Sequence, residues 1–205
     1  MKLGLVTKLI ISVNVLIVIV SVIWPGLVYV EMPLRVSSLA AGAWWEVLTA
    51  MWVHAPFYGW GVLHITFNMM TLAVFGKFVE NEIGVARYLA LYFGAGLTAS
   101  LFFIAEAFIR AGVFGRDEML NVDVMGASGA VCGVVGAFAV FAPRAPLYLM
   151  FIPFPIKALT AVWGLVMVSA VLMLTSTADI IAHSAHLGGA LTGLLCGWRW
   201  RKVNR

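Results

Sequence analysis

Residues 9–30 carry no charged side chain, and five further apolar runs follow at 61–79, 88–108, 124–142, 158–175 and 180–198. A helix crosses a bilayer in about 20 apolar residues, and each run is near that length. Inside lipid every backbone N–H and C=O must be paired within its own segment, which leaves helices as the geometry for runs of this kind. The expected fold is an all-α membrane protein, a six-transmembrane-helix bundle. It forms a single membrane domain over residues 1–205 with no separate soluble domain. Asn14 and Pro25 in the first run are tolerable in a bundle. The chain is 63% hydrophobic and 11% charged, whereas soluble domains run near half and a quarter. Lys2 and Lys8 ahead of an apolar run suggest a signal peptide. The run is too long for one and lacks a small-residue cleavage site, so it reads as a retained anchor.

An even number of spans puts both termini on one side. If that side is cytoplasmic, Lys2, Lys8, Lys77, Arg87, Arg144, Arg199, Arg201, Lys202 and Arg205 face inward. Arg35, Arg110 and Arg116 face outward, an asymmetry that fits the positive-inside rule. The net charge of +4 thus describes membrane topology, with no nucleic-acid partner implied. Residues 31–60 connect the first two spans and hold Trp44, Trp45, Trp52, Tyr58 and Trp60. So many aromatics suggest a segment half-sunk in the bilayer interface; a plain aromatic anchor is the alternative. Cys132 and Cys196 sit in apolar runs and make no metal or disulfide pattern.

This topology aligns the polar residues within the membrane. Spans two, four and six all run from outside to inside. His64 and Asn68 lie early in span two, Ser128 early in span four and His186 early in span six. At about 1.5 Å rise per residue, each falls within roughly 10 Å of the outer surface. Unrelated core hydrogen-bonders have no reason to share a depth, and ionisable groups there are costly and mark function.

The residue types suggest a chemistry. A serine hydroxyl needs a base before it attacks, and histidine is the usual one. Gly126 and Gly129 leave the Ser128 hydroxyl uncrowded. Gly129 and Gly133 make one small-residue face; Gly189, Gly193 and Gly197 make another below His186. Packing those faces would bring Ser128 and His186 together. His64, Asn68 and the Ser128 N–H are the expected oxyanion donors. No carboxylate lies at that depth, so a dyad is expected rather than a triad. His183, one turn earlier, is the rival base. A metal site from His64, His183 and His186 lacks a carboxylate or cysteine partner, and no metal or cofactor is expected. A transporter reading would call for inverted repeats, and none is visible.

These motifs resemble, in order, those of the rhomboid family of intramembrane serine proteases. Gly126-Ala-Ser-Gly129 is similar to its GxSG motif, and Ala185-His186 with Gly189 and Gly193 to its AHxxGxxxG motif. His64-Ile-Thr-Phe-Asn68 is similar to HxxxN, and Glu80-Asn-Glu-Ile-Gly84 to the ExxxG turn. Glu46 departs from the pattern, standing where the first-loop arginine is expected beside Trp45. So does Cys132, which replaces an aromatic, and the segment 55–61 is longer than usual. The resemblance implies a six-helix bundle with a water-filled cavity open to the outside. It implies Ser128 as nucleophile, His186 as general base, His64 and Asn68 as oxyanion stabilisers, and no metal or cofactor. The implied partners are the lipid bilayer and single-pass transmembrane protein substrates, cut in or near their membrane segment through an acyl-enzyme. The alternative is a catalytically inactive rhomboid-like factor that binds membrane proteins. The expected setting is a multi-pass position in a bacterial inner membrane, with span five as a gate for substrate entry. The sequence sets no oligomeric state.

Overall fold

The computed structural model describes residues 4–56, 60–148, 153–175 and 182–203. Helix α1, Leu5–Ile23, begins ahead of residue 9 because a distant side chain caps it. The Val6 and Thr7 N–H groups donate to the Glu80 carboxyl oxygens at 3.0 and 2.9 Å, and the Thr7 hydroxyl donates at 2.7 Å. These are donors that a helix start leaves without partners. The helix stops at Trp24, because Pro25 has no N–H to continue the ladder. Pro25 instead opens α2, Pro25–Glu31, so the single span expected over 9–30 is two helices.

The first connection folds as α3, Val36–Ala40, α4, Glu46–Thr49, and a 3₁₀ turn, Ala50–Trp52. Its aromatics divide. Trp44 and Trp45 are exposed, while Trp52 turns inward onto Tyr92 and Phe93, ring centroids 6.0 and 6.1 Å away. Tyr58 lies outside the described residues. Glu46, which departs from the family pattern, is buried and accepts the Arg35 N–H at 3.0 Å.

Helix α5, Trp60–Thr71, continues through a π-helical turn, Leu72–Gly76, into α6, Lys77–Ile83. Glu80 and Glu82 are therefore helical, past the span end expected at residue 79. Gly84, at φ +79°, ends the run. Helix α7, Val85–Phe114, extends past the expected 88–108 at both ends. It takes in Arg110, expected in a loop, because that side chain finds partners in the helix and beyond it. Its Nε donates to Glu106, one turn back, at 2.7 Å, and its guanidinium donates to the Met173 carbonyl at 2.6 Å.

Helix α8, Ser128–Phe141, starts at the serine and not at residue 124. Val124 is extended instead and pairs with Leu34 in an antiparallel bridge. Two short antiparallel strands, β1, Pro146–Leu147, and β2, Ile156–Lys157, lead into α9, Ala158–Thr175. Helix α10, His183–Val203, carries the basic residues Arg199 and Arg201 in its last turns, so that part of the tail is helical. Asp179 and the expected start of the sixth run at 180 and 181 lie outside the described residues.

Among the described residues, Leu5–Ile23, Gly61–Ile83 and Val85–Phe114 are long and apolar enough to cross a membrane. Ser128–Phe141 and Ala158–Met173 are apolar but shorter. In α10, the histidines and the basic Arg199, Arg201 and Lys202 lower the hydropathy, and glycines stand among its apolar residues. Those glycines have a packing role. Helix α8 is buried along most of its length and packs against α7 and α10. A Cβ on Gly189 would overlap the Gly129 carbonyl, and one on Gly193 the Gly133 carbonyl. The two helices thus meet backbone to backbone, which only small residues allow.

Glu80→Ala is expected to cost at least about 3 kcal/mol, since three buried donors lose their acceptor at roughly 1–3 kcal/mol each. Thermal unfolding in detergent measures it. An unfolding temperature equal to wild type would show that the carboxyl contributes nothing.

Candidate active site

Ser128 is the first residue of α8, following Ala127. The N–H groups of that first turn have no acceptor in the helix, and the positive end of the helix dipole lies there. The chain enters through Gly126 at φ +130°, a region closed to most side-chain-bearing residues. The Gly126 N–H donates to the Ala50 carbonyl at 2.9 Å, which fastens the serine loop to the 3₁₀ turn of the first connection.

His186 lies one turn into α10. Its Nε2 is 2.8 Å from Ser128 Oγ. With the ring proton on Nδ1, the hydroxyl donates to Nε2, the arrangement from which the imidazole can take that proton. No carboxylate among the described residues bonds the His186 ring. The His183 ring is 6.4 Å from the His186 ring and at 86° to it. It does not line the cavity above Ser128.

That cavity measures about 700 Å³. Its wall is mostly apolar and includes Ala50, Met51, His64, Ala99, Ser128 and His186. His64 enters from α5. A methyl group placed on Gly126 would sit 2.8 Å from His64 Nε2 and 3.7 Å from Ser128 Oγ, so both atoms face one small volume. The structure thus brings Ser128, His186, His64 and Gly126 together. Asn68 is not among the lining residues. It is buried one turn beyond His64, and its amide donates to the His64 carbonyl at 2.9 Å. His64, His183 and His186 do not converge, and no cluster of three metal-binding side chains occurs among the described residues.

One residue here had no role in the sequence reading. His54 is 2% exposed and its ring lies 5.1 Å from that of His64. The available signal was its setting: a histidine between Val53 and Ala55 in an apolar stretch is costly to bury without a use.

Residues 41–203 match the Rhomboid domain. RHOMBOID-like protein 4 of Arabidopsis thaliana is 30% identical over 154 residues, covering 75% of this chain and 33% of that protein. Rhomboid protein 1, mitochondrial, of Saccharomyces cerevisiae is 30% identical over 136 residues, 66% of this chain and 37% of its own. Rhomboid protease GluP of Bacillus subtilis is 33% identical over 102 residues, 49% of this chain and 16% of its own. The chain spans less than half the length of these relatives. They come from plant, yeast and bacterium, so the likeness does not single out a bacterial inner membrane.

Proposed function

The chain belongs to the rhomboid family, and on that premise we propose that it is an intramembrane serine endopeptidase acting on single-pass membrane proteins. Its six long helical stretches would all be spans, with both termini cytoplasmic and the cavity toward the outer face. The observation that supports this most is the 2.8 Å approach of Ser128 Oγ to His186 Nε2.

The chemistry follows from the positions. As Ser128 Oγ attacks a substrate carbonyl, its proton passes to His186 Nε2. The carbonyl oxygen takes up negative charge beside the start of α8, where the Ser128 N–H and the His64 ring can donate to it. Asn68 stays in this set: its amide uses one N–H on the His64 carbonyl and has a second to give. His186 then protonates the departing amine, leaving an ester on Ser128. Water attacks that ester with His186 again as base, and the serine is regenerated. The substrate helix must unwind to expose the carbonyl, because helical backbone groups satisfy one another.

Purified protein in detergent, mixed with a model single-pass substrate, tests this reading. The expected result is one cut near the outer end of the substrate's span, mapped by mass spectrometry. Binding without a cut would favour the inactive membrane-protein factor. Gly126→Ala is expected to slow the cut by about 100-fold, the scale of a 1 Å misplacement of reacting groups, since its methyl would press on His64 Nε2. An unchanged rate would mean that the loop yields there.

A further inference from the structure

We propose that His54 is a positioning residue: its ring is the stop against which the His64 imidazole is held with Nε2 toward Ser128. This rests on the protease reading above. His64 borders a cavity of about 700 Å³. A side chain on such a wall has room to rotate, and holding it in one pose requires packing on the side away from the space. The place that a Cβ on Gly126 would take lies 2.8 Å from His64 Nε2. The His54 ring, which does not line that cavity, lies 5.1 Å from the His64 ring and is tilted by 57° to it.

The stop is itself firmly placed. His54 follows Val53, which is fully buried, and the 3₁₀ turn Ala50–Trp52. The Ala50 carbonyl in that turn accepts the Gly126 N–H. One short segment therefore holds both the loop before Ser128 and the ring behind His64.

Among the described residues, His54 makes no hydrogen bond that would explain its burial. Neither ring nitrogen has a bonded partner among the described residues, and the Trp52 backbone approaches without reaching bonding geometry. Native interiors seldom bury an imidazole this way without a use. Burial, and after it the neighbouring His64 ring, holds the His54 pKa down to about 4. His54 is thus neutral at physiological pH and puts no charge behind the donor it supports. Its contribution is a flat face of the right size.

The test compares wild type, His54→Ala, His54→Leu, His54→Phe, His64→Ala and the His54→Ala/His64→Ala double variant. Each is assayed for kcat and KM on a model single-pass substrate and for thermal unfolding. His54→Ala and His54→Leu should lower kcat about 10- to 100-fold, the range for a displaced catalytic group, with KM within twofold of wild type. His54→Phe, which keeps the flat face, should recover most of kcat. On the His64→Ala background, His54→Ala should change nothing further. Leucine fills the volume, so it carries the test if the alanine variant does not fold. The proposal is overturned if leucine matches wild type, if phenylalanine fails like leucine, or if the two losses multiply. A wild type that labels with a fluorophosphonate at Ser128 and cleaves, while His54→Leu cleaves equally, sinks this inference alone. A wild type that neither labels nor cleaves sinks the protease reading and this inference with it.

Discussion

Ser128→Ala will abolish cleavage, by about 10⁴-fold or more, and His186→Ala will do the same. Removing either partner of a nucleophile–base pair costs about as much as removing both, because neither acts alone. The double variant should therefore be no slower than the singles. Residual turnover, if measurable, would come from donors around the carbonyl oxygen rather than from covalent chemistry. Fluorophosphonate labelling should vanish in Ser128→Ala. Ser128→Ala should leave the unfolding temperature nearly unchanged, since it deletes one hydroxyl and opens no cavity. His183→Ala is the useful contrast, for that ring stands off the cavity. If His183→Ala were the variant that lost labelling and His186→Ala kept it, the assignment of the base would be reversed.

Gly193→Ala is expected to lower stability by about 3 kcal/mol, near the upper end of overpacking costs, and to take activity with it. The added methyl would overlap the Gly133 carbonyl. That neighbour is backbone, so no rotamer change relieves the clash and α8 and α10 must part. Parting them also draws Ser128 from His186, which reach each other across the same interface. Gly94→Ala is the control: nothing lies within 4 Å of a Cβ there, and alanine favours a helix over glycine by about 1 kcal/mol. Gly94→Ala should unfold at or above the wild-type temperature and cut at the wild-type rate. Equal effects at the two glycines would mean that the α8–α10 contact is looser than drawn.

Apolar runs and glycine spacings are legible in the sequence because each has one main physical use. A long uncharged run needs a lipid or protein interior. Gly129, Gly133, Gly189 and Gly193 at four-residue intervals need a close helix neighbour, and the structure sets the two faces together. Helix ends are less legible where distant residues decide them. The start of α1 depends on Glu80, and Arg110, past the expected end of its span, reaches Met173. The end of α7 at Gly115, φ +66°, and the turn before α8 at Gly126, φ +130°, are set locally. Lys77, Glu80 and Glu82 look like a turn by charge alone, yet the helix runs on until Gly84. Within the site, helical spacing puts His64 and Asn68 on one face but does not say that Asn68 turns back to its own helix. The contact of His54 with His64 crosses between a loop and a helix, where no periodicity applies.

The grip of Glu80 on the opening turn of α1 also bears on how the protein is assembled. Carboxyl and donors lie more than 70 residues apart in the chain. During synthesis α1 emerges long before its acceptor exists, so its first N–H groups depend on water until Glu80 arrives. Any peptidase that clipped α1 away would strand a buried acid in α6. Loss of the first helix would therefore be felt at Glu80, near the end of the helical stretch that begins at α5.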